Sequence, residues 1–280
     1  MVDQGALCLP AVIGFGPALA AVWYVGSRYD GQFSDRRLFA LMGVGLILGG
    51  VAIVFHLFLD EAFGQGIDLA LLGFGLLFPL LETMMKYVVL NLRSLRGQGE
   101  TAFYGLSLGA GFGAIGVLTV VTRDALSVPG GLWQATLMTQ ALLRSIGVVG
   151  VQATSGLLLG VASARKGDRT RFLQALGLLA AFYLSLLLVG LSGDTSGVAL
   201  WGSLLVGVAL GLGGLVWGIA QVLPQVLDTG TRQRLRRRRL DKVRKMRMDR
   251  SRRANRPARA ARAPAALATS GRSKGHDDSE

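Results

Sequence analysis

The sequence predicts an all-α polytopic membrane protein of seven transmembrane helices, with the N-terminus outside and the C-terminus in the cytoplasm. Three observations carry this. Apolar blocks of about 20 residues, the length needed to cross a bilayer, alternate with short polar loops. Apolar residues make up 51% of the 280, and 40 are glycine, which lets membrane helices pack closely. Basic residues gather in alternate loops, the pattern of cytoplasmic loops.

The spans fall at residues 6–26, 38–58, 67–91, 102–122, 145–164, 172–192 and 197–223. No basic stretch precedes the first block, so it reads as a span rather than a cleaved signal. The single cysteine, Cys8, excludes an internal disulfide. Arg28, Arg36 and Arg37 follow the first span, and Arg93 and Arg96 the third. Arg165, Lys166, Arg169 and Arg171 follow the fifth, which puts these loops in the cytoplasm. The opposite side holds Arg123 and Arg144, with the acids Asp60, Glu61, Asp68 and Asp194. Residues 132–144, "LWQATLMTQALLR", are apolar enough to lie on the membrane surface or to extend the fifth helix.

The chain divides into a membrane domain, residues 1–228, and a tail, residues 229–280. From Arg232 onward the tail holds 18 of the 30 Lys and Arg, so most of the net charge of +13 resides there. Beyond Pro257 its Ala, Pro, Arg and Ser composition reads as disordered. A basic segment beside the membrane is drawn to anionic headgroups by about 1 kcal/mol per basic residue. Nucleic acid is the weaker reading, since arginine-rich tails bind phosphate without sequence preference.

Two features interrupt the apolar spans. In "LLETMMKYVV" Glu82 and Lys86 lie one helical turn apart. A charge at the bilayer centre costs about 2.5–3.5 kcal/mol, and pairing on one helix face reduces that cost. Either Lys86 snorkels to the interface with Glu82 following it, or both face the bundle interior and bind a helix, an ion or a substrate. In "FYGLSLGAGFGAIG" Gly105, Gly109 and Gly113 recur every four residues. Their row admits another helix backbone to backbone, from this chain or from a partner.

"LLETMMKYVVLNL", "AFYGLSLGAGFG" and "TRDAL" together resemble two related families. One is the anterior-pharynx-defective subunit family of γ-secretase. It has seven spans with the N-terminus outside, a Glu-led motif in the third span and a GxxxGxxxG row in the fourth. "FGPA", Phe15 to Ala18, is similar to its first span. The other is the PrsW family of intramembrane metalloproteases, grouped with the CAAX prenyl endopeptidases. Its pattern is E-E-x-x-K, then F-x-x-x-E, then H-x-x-x-D. Here Thr83 stands at the second Glu, Gly116 at the Glu of the next motif, and Gln152 at the His. The subunit family also carries histidines in its later spans, and this chain has none there.

A zinc protease needs about three ligands and a carboxylate base. The chain has two histidines, His56 and His276. His56 shares a face with Asp60 but is placed near the outer end of the second span, several turns from Glu82. There is no aspartate dyad within the spans, no Ser–His arrangement, and no phosphate-binding loop after a strand. The expectation is therefore a non-catalytic scaffold of the intramembrane-protease superfamily in the cell membrane. It would pack partner helices on spans three and four through Glu82, Lys86, Gly105, Gly109, Gly113 and Gln152, with no cofactor. The first alternative is a PrsW-like metalloprotease with a divergent site on Glu82, the one catalytic candidate, and zinc. The second is a small-solute or ion transporter coupled through Glu82, although no inverted repeat is present.

Overall fold

The computed structural model describes residues 4–29, 31–63, 73–127, 134–192 and 197–227. Asp68, Asp194, His276 and the whole basic tail lie outside the described residues. Among the described residues seven α-helices run in order: α1 Gln4–Arg28, α2 Asp35–Phe63, α3 Phe78–Leu90, α4 Thr101–Ser127, α5 Ala135–Ala164, α6 Arg169–Ser192 and α7 Val198–Trp217. A π-helical turn, Gly73–Leu77, leads into α3. A second π turn, Gly218–Val222, and a 3₁₀ turn, Leu223–Gln225, follow α7. Among the described residues there is no strand.

Among the described residues six helices, all except α3, are long and apolar enough to cross a membrane, so the chain is a multi-pass helical membrane protein. α3 has 13 residues, short of the roughly 20 that span a bilayer. Pro79 stands in its first turn, where a missing N–H costs nothing. With the π turn before it, α3 accounts for residues 73–90 of the predicted span 67–91, and the start of that span lies outside the described residues. The question over residues 132–144 resolves toward an extended fifth helix, since α5 begins at Ala135 and runs for 30 residues.

α4 and α5 form the centre of the bundle. Within their apolar windows 67% and 89% of residues are buried, against 22–39% in the other five-to-seven-turn helices. Glycine is the reason. A Cβ on Gly109 of α4 would lie 2.8 Å from the carbonyl carbon of Gln152 in α5, and Gly105 and Gly156 meet in the same way. On the opposite face of α4, Gly111 meets the backbone of Met42 in α2, while Gly45 and Gly49 of α2 meet Leu108 and Phe112. Gly147 and Gly150 of α5 meet Gly207 and Gly211 of α7. The helices α2, α4, α5 and α7 therefore touch backbone to backbone, held by van der Waals contact and by hydroxyls that bond across them. Ser107 Oγ donates to the Leu38 carbonyl at 2.7 Å, and Ser163 Oγ to the Leu90 carbonyl at 2.6 Å.

Of the two kinds of helix the glycine row could meet, it touches those of this chain. The Gly105–Gly109–Gly113 row is covered by α5, and the opposite face of the same helix by α2. No room is left on the N-terminal half of α4 for a partner's helix, because residues 101–114 are all buried within this chain.

The turn from α5 to α6 shows how the loops are fixed. Lys166 and Gly167 adopt φ values of 58° and 98°, and the Gly167 N–H donates to the Ala162 carbonyl at 2.8 Å. This left-handed cap ends α5. Asp168 then caps α6, its Oδ1 accepting the Thr170 N–H at 3.1 Å.

Candidate functional site

Glu82 and Lys86 lie one turn apart on α3 and both point inward, 2% and 0% exposed. They do not pair directly: among the described residues no Glu82–Lys86 ion pair forms. Gln152 of α5 stands between them. Its Nε2 donates to Glu82 Oε2 at 2.7 Å, and its Oε1 accepts from Lys86 Nζ. Lys86 also donates to Ser155 Oγ at 3.0 Å, and its ammonium lies 4.4 Å from the centre of the Phe112 ring. The other carboxylate oxygen, Glu82 Oε1, accepts the Tyr183 hydroxyl of α6. A carboxylate acceptor, an amide bridge and an ammonium donor thus join α3, α5 and α6 in one buried network. A primary amide is the side chain suited to the middle position, since it donates at one end and accepts at the other.

His56 of α2 completes the cluster, with Nε2 3.5 Å from Glu82 Oε1. Its ring stacks on Phe78, centroids 4.1 Å apart, and meets Tyr183 edge-on at 5.7 Å. This overturns the expectation that His56 lies several turns from Glu82. Helix length is the cause. α2 continues five residues past its predicted end, to Phe63, so His56 sits about 10 Å from that end. Glu82 of the third segment meets it at that level, 3.5 Å away.

The cluster forms the floor of a cavity of about 550 Å³ between α2, α4, α5 and α6. Ala52, Val117, Val120, Val148 and Leu186 give it apolar walls, and Arg123 and Arg144 line the end away from Gln152. Gly116 also faces it, with no atom within 4 Å of where its Cβ would stand.

Of the six residues singled out from sequence, Glu82 and Gln152 line this floor, and Lys86 bonds to Gln152. Gly105 and Gly109 serve the α4–α5 contact, and Gly113 borders both the contact and the cavity. Tyr183, Ser155 and the place of His56 were not anticipated. A lone Tyr or Ser in an apolar span carries no spacing signal.

Thr83, where the PrsW-like pattern has its second Glu, is fully buried, and its Oγ1 has no hydrogen-bond partner among the described residues. An unpaired buried hydroxyl costs about 1–3 kcal/mol. Thr83→Val keeps the shape and removes that cost, so it is expected to leave stability unchanged or to raise it by about 1 kcal/mol. Thermal unfolding in detergent measures this, and a loss of similar size would mean that the hydroxyl is bonded in the membrane.

No protein-family model, no curated protein and no solved structure matches this chain.

Proposed function

We propose that this protein is a non-catalytic binding protein of the cell membrane, related to the intramembrane proteases, that holds a membrane-borne ligand in the cavity above Glu82. One observation carries the reading. Gly116 leaves open space in the cavity wall at the position where the PrsW resemblance places a carboxylate. Gln152 supports it: where that resemblance places a histidine, the amide ties Glu82 to Lys86 instead. The scaffold role expected of spans three and four, through Glu82, Lys86, Gln152 and the glycine row, is placed at this cavity in this reading. The seven-span path belongs to the same reading, with α3 and the π turn before it as the third span, the N-terminus outside and the C-terminus in the cytoplasm. The charge of residues 229–280 supports contact of the tail with anionic lipid.

Filling the cavity tests the binding role. Gly116→Leu places a side chain where nothing stands, so it should fold and melt as the wild type does. It should also lose whatever co-purifies with the wild type in mild detergent, read by mass spectrometry of the intact protein. A variant that retains the same occupant in full would remove the cavity from the function. Topology is tested with reporter fusions: those after Arg37, Arg96 and Arg169 should report cytoplasm, and those near Asp68 and Asp194 the outside. A fusion after Arg169 that reports outside would end the seven-span path.

A hydrolase is the second reading, favoured by His56 standing 3.5 Å from Glu82. A carboxylate beside an imidazole can take a proton from water and return it to a leaving group. Among the described residues no three His, Cys, Asp or Glu side chains converge at this cluster, where His56 and Glu82 stand 3.5 Å apart. Cleavage of a transmembrane peptide in proteoliposomes that stops in Glu82→Gln would replace the non-catalytic reading.

A further inference from the structure

The cavity is polar at its two ends and apolar between them. Arg144, Val148 and Gln152 follow one another along a single face of α5. Arg144 and Gln152 are eight residues apart, about 12 Å along the helix. Half the hydrocarbon thickness of a bilayer is about 15 Å. The cavity is therefore about as deep as one leaflet, with arginines at one end and the bilayer middle at the other.

Among the described residues the arginine end carries net positive charge. Arg144 bonds Asp124 at 2.9 Å, which offsets one charge. Arg123 is exposed beside it and forms no ion pair among the described residues. One cationic guanidinium is thus free at the mouth, and a planar fork of donors is suited to a phosphate. The floor makes no such demand. The carboxylate oxygens of Glu82 and both ends of the Gln152 amide are already bonded within the network, so an apolar chain end displaces none of their partners.

Resting on the cavity's role as a ligand site, we infer that its occupant is one acyl chain of an anionic phospholipid, with the headgroup phosphate at Arg123 and the chain running down to Tyr183 and Gln152. The charge at the mouth selects the headgroup, and the apolar walls hold the chain.

Native mass spectrometry of the full chain, released from bilayers of equal phosphatidylglycerol and phosphatidylcholine, tests this. The wild type should keep one phosphatidylglycerol in preference to phosphatidylcholine. Arg123→Gln should reduce that preference roughly fivefold, the effect of one basic residue near an anionic surface. Gly116→Leu should remove the bound lipid without lowering the melting temperature. Equal retention of the two lipids, or a preference unchanged in Arg123→Gln, overturns the anionic assignment and leaves the cavity as a ligand site. An occupant with the mass of a polypeptide overturns the lipid assignment in the same way. If the lipid retained by Gly116→Leu matches the wild type in kind and amount, both the lipid assignment and the ligand site fall together.

Discussion

Gly109→Ala is expected to lower stability by about 3 kcal/mol, the upper end of the usual cost of overpacking. The added methyl would meet the Gln152 carbonyl and come within 3.0 Å of Ala153 Cα. Both are backbone atoms of the most buried helix, α5, and that helix cannot retreat: its far side is pressed against α7 through Gly147 and Gly150. The sequence alone suggests that Ala would be the mild change at this position and Leu the severe one. The structure removes that distinction. Gly156→Ala, on the facing helix, should cost as much, since its methyl would meet the Gly105 carbonyl. Gly177→Ala and Gly213→Ala are the controls. Both glycines are helical and have open space around them, so their substitution should be neutral or mildly stabilising. Unfolding by denaturant in mixed micelles measures all four. A Gly109→Ala protein as stable as the wild type would show that α4 and α5 are further apart than described.

Lys86→Met is expected to cost about 3–5 kcal/mol, the range for removing one member of a buried charge pair. It leaves the Glu82 carboxyl buried without the Lys86 ammonium nearby and strips the Gln152 Oε1 and Ser155 hydroxyl of their donor. The double variant Glu82→Gln/Lys86→Met removes both charges and should cost less than the two single changes added together. Because Gln152 stands between the pair, the coupling should change when the cycle is repeated on a Gln152→Leu background. The same unfolding assay gives both cycles. Additive losses in the wild-type background would mean that the two charges do not feel each other, and equal coupling in both backgrounds would mean that the amide is not the link.

The class of fold was legible in the sequence because apolar length and glycine content act through the bilayer itself. The convergence of Glu82, Lys86 and Gln152 was partly legible, since polar residues in apolar spans have few places to go but inward. His56 was misplaced for a definite reason. Hydropathy ends a span at the first acids, Asp60 and Glu61, whereas the helix continues to Phe63 because a backbone hydrogen-bond ladder need not stop where the membrane does. The glycine row showed a smooth face without showing what covers it. Period fixes which residues share a face and says nothing of the neighbour. The signal that would have identified it was present: Gly156 and Gly160 in the fifth span, with Gly207 and Gly211 in the seventh, repeat the same four-residue step. Matching rows on several helices of one chain can close on one another with no outside partner.

The Gln152 bridge has a consequence for biosynthesis. Lys86 precedes Gln152 by 66 residues, so α3 leaves the ribosome well before its bridging amide exists. At about 5–20 residues per second the gap lasts roughly 3–13 s. During it Glu82 has Lys86, one turn on, and His56 of the already synthesised α2 as its charged or polar neighbours, and the two charges of α3 weaken its partition into lipid. On the proposed seven-span path the third segment therefore enters the bilayer as a provisional guest, its two charges paired with each other. It is secured only when the fifth arrives and exchanges that contact for the amide, so nascent chains stopped before Gln152 should hold α3 loosely at the translocon.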